Sequence, residues 1–239
     1  MNTNRKIAIV VGVLYIIGTV AGVLSVVITS SILSGSDYLV KVAANANQII
    51  IGALFVLIMG LVLAMVPVFL FPILKKQSLV LAVGYVVFRG ALETVTYFAT
   101  VISWLLLVIL SQGYVQAGSA AAPDYSTLGN LLIKGANTGA ALTAIVFPLG
   151  ATMLYVAFYR SRLIPRWLSV WGLIGVILNL IVTGLLGLFA LGTSMPTFQV
   201  QDILNLPIFL QEMVMAVWLI AKGFDPTVFA SLSARANTN

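Results

Sequence analysis

The feature that most limits the fold of this chain is a succession of apolar runs. Each is long enough to cross a hydrocarbon core of about 30 Å at about 1.5 Å per residue. They read as helical spans at residues 7–29, 48–74, 78–111, 126–160, 165–191 and 204–222, with an amphipathic lead-in from Ser36 before the second. Strands of a membrane barrel would alternate apolar and polar residues over about 10 positions, whereas these runs are unbroken. Of the 239 residues, 61% are hydrophobic and 8% charged; a soluble domain carries about 25% charged residues. The expected fold is all-α: a polytopic transmembrane bundle of six spans forming one integral membrane domain over residues 1–239.

The loops give an independent count. Arg5, Lys6, Lys75, Lys76, Arg160, Arg162, Arg166, Lys222 and Arg235 fall in one set of alternate connections, and Lys41 alone in the other. The positive-inside rule puts the richer set in the cytoplasm. Both termini are then cytoplasmic, which requires an even number of spans. The first run is roughly 23 residues, longer than the 7–15-residue core of a signal peptide, and is read as a retained span. Placement in loops accounts for the net charge of +6, so no nucleic-acid partner is expected; the lipid bilayer is.

Local chemistry marks boundaries. Ser126 is an expected N-cap. Pro165 suits a first helical turn, and Trp167 and Trp171 belong to an interfacial aromatic belt. Gly223 and Pro226 end the last span, and the polar tail "SARANTN" is expected to fray.

With no Cys and no His, disulfides, thiolate nucleophiles, Cys/His metal sites and a histidine base are excluded. No cofactor, metal site or catalytic residue is expected. A lipid-directed enzyme with Glu93 as base and Arg89 holding a phosphate is conceivable, but an enzyme is not the favoured reading.

The informative anomaly is "FRGALETVTYF", residues 88–98, inside the third run. An ion at the bilayer centre costs about 2.5–3.5 kcal/mol on insertion scales unless it faces protein or water and finds a partner. Tyr85, Arg89, Glu93, Thr96, Tyr97, Thr100 and Trp104 recur at helical spacing and form one stripe, expected to face the bundle interior. Measured from Lys76, Arg89 lies about 20 Å deep and Glu93 about 25 Å; Glu212 lies about 15 Å from Lys222 on an antiparallel span. Arg89 is therefore expected to meet Glu93, Glu212 or both. An Arg followed by Glu at i+4 is the poorer order, so a bidentate partner on another helix would serve the guanidinium better. Tyr15 and Asn179 extend the polar shell, Asn179 as an interhelical hydrogen bond, and "GTVAG" is a small-residue element for packing within the chain. Lys134 belongs at the outer surface.

Five stretches carry a family resemblance: "MNTNRKIAIVVGVLYIIGTVAGVLS", "SDYLVKVAANANQIIIGAL", "FPILKK", "SRLIPRWLSVWGLIG" and "EMVMAVWLIAKGF". In this order, over nearly the whole chain, they resemble the bacterial membrane proteins of domain-of-unknown-function family 4386. The resemblance implies a small multi-pass protein of a bacterial cytoplasmic membrane. It transfers no activity and no site residue.

The residues favour a binding or transport bundle for a small molecule or lipid headgroup, with Arg89, Glu93, Glu212, Tyr85, Tyr97 and Asn179 around a polar intramembrane site. The competing reading is an accessory or regulatory membrane protein whose buried ion pair only locks two helices together. Either is compatible with a homo-oligomer.

Overall fold

A computed structural model describes residues 3–117, 122–186, 189 and 198–236, and among them it contains helices and no strand. The helices are α1 (Thr3–Thr29), α2 (Tyr38–Ala44), α3 (Ala46–Leu74), α4 (Leu79–Ala117), α5 (Ala122–Ser161), α6 (Arg166–Leu185), α7 (Phe198–Ala221) and α8 (Pro226–Ala236). Five of them, α1, α3, α4, α5 and α6, are long and apolar enough to cross a membrane; α7 with α8 supplies a sixth, bent by 88° at the break between them. The outer end of the fifth span, residues 187–188 and 190–191, lies outside the described residues.

The six long helices pack in chain order around a ring, α1 on α3, α3 on α4, α4 on α5, α5 on α6, α6 on α7, and α7 back on α1. An even number of up-and-down helices closes such a ring with every neighbour antiparallel. The outward faces are apolar: Val27, Val95 and Ile109 are each more than 60% exposed. Side chains of that kind belong against acyl chains.

Arg5, Lys76, Arg166 and Lys222 gather at one end of the ring. Arg5 at the start of α1 donates to the carbonyls of Leu219 (3.0 Å) and Ile220 (2.5 Å) at the end of α7, the favourable place for a cation on a helix dipole. Trp167 of α6 meets Trp218 of α7 edge to face at 6.5 Å. The Lys76 ammonium lies 4.3 Å from the Phe229 ring of α8. At the opposite end α2 caps the ring, and the Tyr38 hydroxyl donates to Asn130 Oδ1 (3.1 Å) on α5.

Two boundaries differ from expectation. Ser126 is not an N-cap: α5 begins at Ala122, where Pro123 is pre-set for the first turn, and the Ser126 carbonyl instead accepts from Tyr38 (3.4 Å). The tail is helical through Ala236. Asp225 caps α8, its Oδ1 accepting from the amides of Thr227 (2.9 Å) and Val228 (3.2 Å). The Thr227 hydroxyl, then the Val228 amide, hold this exposed carboxyl below its ordinary range, so the cap is intact above that range and is lost as pH falls through it. Val228, Phe229 and Leu232 pack onto the core, which gives α8 an apolar reason to stay down.

Gly223 ends α7 with φ +76°, and a Cβ there would lie 2.8 Å from Arg5 Nη1. Gly223→Ala is expected to destabilise the bundle by about 1–2 kcal/mol, the cost of a left-handed residue with a Cβ, measured by thermal denaturation in micelles. An unchanged midpoint would show that this end of the bundle is loosely packed.

Candidate functional site

The interior stripe of α4 faces the ring centre. Tyr85, Arg89 and Glu93 are buried, with Arg89 3% and Glu93 1% exposed; Thr96 is also buried, and Tyr97, Thr100 and Trp104 are half-buried. Residues Val86–Leu92 form a π-helical segment. Four residues advance about 400° in an α-helix, so a row at spacing four drifts by about 40° per step. A wider π turn takes up that drift, and Tyr85, Arg89 and Glu93 stay on one face.

The guanidinium is shared between two helices. Arg89 Nη1 donates to Glu93 Oε1 at 2.6 Å and Nη2 to Glu212 Oε1 at 3.2 Å. The expected bidentate partner on another helix does not form: each terminal nitrogen takes a different carboxylate, because Glu93 and Glu212 flank the group from α4 and α7. The Tyr97 hydroxyl adds a 2.7 Å bond to Glu93 Oε1. The Phe147 ring covers the guanidinium, its centroid 4.5 Å from Cζ, a desolvated cation–π contact. Gly150 of α5 lets the backbones approach here; a Cβ on it would lie 2.8 Å from Arg89 N.

On the basic side the cluster is closed off. Tyr15 and Tyr85 hydroxyls meet at 3.0 Å, Tyr155 donates to Gln211 Oε1 (2.5 Å), and Gln211 donates to the Leu168 carbonyl (3.0 Å). Beyond them Leu70, Ile73, Leu154, Phe158 and Leu163 are fully buried.

On the other side lies a cavity of about 340 Å³, to which all six long helices contribute. Arg89, Glu93, Glu212, Tyr97, Asn179 and Asn205 give it polar groups; Leu63, Met59, Phe147 and Ile208 give it apolar walls. Among the described residues its rim includes the exposed Val23, Ala140 and Phe209. Three buried polar atoms of lining residues have no partner among the described residues: Arg89 Nε, Glu93 Oε2 and Asn179 Oδ1. Buried polar groups are normally satisfied; these three belong to residues that line the cavity and are themselves shut off from water.

Asn179 makes the interhelical bond expected of it: its Nδ2 donates to Asn205 Oδ1 at 2.8 Å, and Thr183 donates to the same oxygen at 2.8 Å. A second π-helical segment, Leu180–Leu185, begins directly after it. Both π segments thus adjoin polar residues of the cavity, a placement π turns often take at functional sites. The small-residue element of α1 packs within the chain, Gly18 against Leu63 and Gly22 against Met59. Tyr85 sits on the closed side and does not line the cavity. Asn205 and Phe147 do line it and were not singled out from sequence; a lone Asn near the start of the last span and one Phe among many carry no signal.

A larger cavity of about 480 Å³ lies at the basic end between Arg162, Arg166, Trp218, Lys222 and Asp225. Its cations lie in or beside the loops at the basic end, where the positive-inside rule alone would gather them.

A closed ring of long apolar helices with lipid-facing exteriors and a buried ionic centre defines a multi-pass integral membrane protein. More particularly, the chain belongs to the domain of unknown function family DUF4386, which it matches over residues 10–223. No curated protein and no solved structure matches it.

Proposed function

We propose that this protein binds a small molecule or lipid headgroup in its central cavity, as a receptor or carrier in the bacterial cytoplasmic membrane with both termini in the cytoplasm. One observation carries this reading: three residues that line one cavity each hold a buried polar atom without a partner among the described residues, Arg89 Nε, Glu93 Oε2 and Asn179 Oδ1. A purely structural ion lock would be expected to use its own polar atoms up, since each one left unsatisfied costs about 1–3 kcal/mol. The volume falls within the range of about 300–1,000 Å³ typical of small-molecule sites. The orientation is supported by the gathering of Arg5, Lys76, Arg166 and Lys222 at one end.

The test is a comparison of what co-purifies. Full-length protein is taken from native membranes into nanodiscs, beside Ala140→Phe, which places a ring at the cavity rim. Mass spectrometry of the extracts is expected to show a species enriched with the wild type and depleted at least tenfold from an equally folded Ala140→Phe. Identical extracts would favour the accessory reading with a structural ion cluster.

A further inference from the structure

The charge count at the centre is unequal. One guanidinium stands against two carboxylates, with Arg89 bonded to both Glu93 and Glu212. Of the other cations in the long helices, Arg5, Lys6, Arg160 and Arg166 sit at helix ends on the basic side, and Lys134 is exposed on α5, roughly 20 Å along that helix from Phe147. The groups facing Glu212 are otherwise neutral: Tyr15 from α1, Tyr85 and Tyr97 from α4, and Tyr155 from α5. From α3 there is no titratable side chain, and from α6 only Arg166 at its basic end. With both carboxylates ionised the cluster would hold one uncompensated negative charge. Charge of that kind away from water must be met by a proton or by a bound cation.

We infer that the cavity takes a ligand with a protonated amine, and that the amine replaces a proton held at Glu212. This rests on reading the central cavity as a binding site, and it names the chemistry. An ammonium offers N–H donors and no acceptor. Glu212 supplies the charge and is the most exposed member of the ion cluster, at 15%; behind it Glu93 Oε2 and Asn179 Oδ1, on residues that also line the cavity, are acceptors without partners among the described residues. Tyr97 and Phe147 give the cavity aromatic walls, suited to a cation with a hydrocarbon part. Arg89 lines the same cavity and is a donor without acceptor capacity, so an oxygen near the amine, a hydroxyl or phosphate oxygen, completes the match. A hydrated metal ion would leave the apolar walls unused and needs about six oxygens. The exchange balances: a carboxylic acid and a ligand ammonium become a carboxylate–ammonium pair and one released proton. Two sources offer this chemistry, a free amino alcohol and an ethanolamine phospholipid headgroup.

The experiment uses three probes of one shape: 2-amino-1-phenylethanol (cation), 1-phenylethane-1,2-diol (neutral) and mandelate (anion). Each is titrated calorimetrically into the full-length protein in phosphatidylglycerol nanodiscs, in two buffers of different ionisation enthalpy. The amine is expected to bind saturably, to release up to one proton, and to bind more weakly as pH falls. Glu212→Gln should weaken it at least tenfold, while Glu212→Asp, which keeps the charge, stays within about threefold of wild type. A Glu212→Gln protein that fails to fold leaves the proton count and the probe order as independent readouts. Repeating the titration with phosphatidylethanolamine in the disc separates the sources: a tenfold loss of amine affinity assigns the headgroup, and no change assigns a free amine. Preferred binding of mandelate or the diol overturns the inference, as does no saturable binding of the amine. The co-purification comparison decides separately whether the cavity is a binding site at all.

Discussion

Replacing Arg89 with Met is expected to destabilise the bundle by about 3–5 kcal/mol, the usual cost of removing one partner from a buried ion pair. Met keeps much of the side chain's length against Phe147, so the loss reports charge more than volume. What remains would be Glu93 and Glu212, both in contact with the departed guanidinium and now facing each other's charge without it. Neutralising them should restore most of the loss: Arg89→Met with Glu93→Gln and Glu212→Gln is expected to fall within about 1–2 kcal/mol of wild type, since buried ionic groups replaced as a set are often near neutral. Denaturation in mixed micelles, read as a multiple-mutant cycle, measures this. Equal loss in the single and triple variants would mean that Arg89 acts by packing alone.

Gly150→Val is the second large effect. The new Cβ would lie 2.8 Å from Arg89 N and 3.1 Å from Arg89 Cβ. Backbone cannot rotate aside as a side-chain tip can, so α4 and α5 must separate where the guanidinium is held. Overpacking of this sort costs about 1–3 kcal/mol. The displaced Arg89 should also lose its bond to Glu212, already the longer of its two at 3.2 Å. Gly135→Ala is the control on the same helix: its nearest neighbour is the movable Ser103 Oγ at 3.2 Å, and a change within about 0.5 kcal/mol is expected. Thermal midpoints of the two variants check the contrast; equal midpoints would remove Gly150 from the account of the site.

What was legible in the sequence follows from magnitude. An ion in hydrocarbon is so costly that burial, inward direction and an acidic partner for Arg89 could be argued from residue types and depth alone. The same logic put Glu212 at the right level on an antiparallel helix. Neighbour relations were not legible, because α3, for example, is apolar on every face and its pattern names no partner. The division of the guanidinium between two carboxylates depends on how α4 and α7 face each other across the ring. The π segments at Val86–Leu92 and Leu180–Leu185 leave no sequence mark, since a wider turn uses the same residues as an ordinary one. Asn205 stayed hidden because its value comes from meeting Asn179 and Thr183 together. Helix α8 is hidden for a local reason: Pro226 reads as a stop for α7, whereas after the Asp225 cap it starts α8.

Glu93 and Glu212 are the only glutamates in the chain, so one spectrum can test the centre of this account. The full-length protein in lipid, labelled at glutamate Cδ with ¹³C and at arginine guanidinium nitrogens with ¹⁵N, is measured by solid-state dipolar recoupling. Both carboxyl signals should dephase at the short range of a charge-assisted hydrogen bond to Arg89. A glutamate signal that keeps its full intensity would show that Arg89 does not bridge the two carboxylates, and would contradict the site described above.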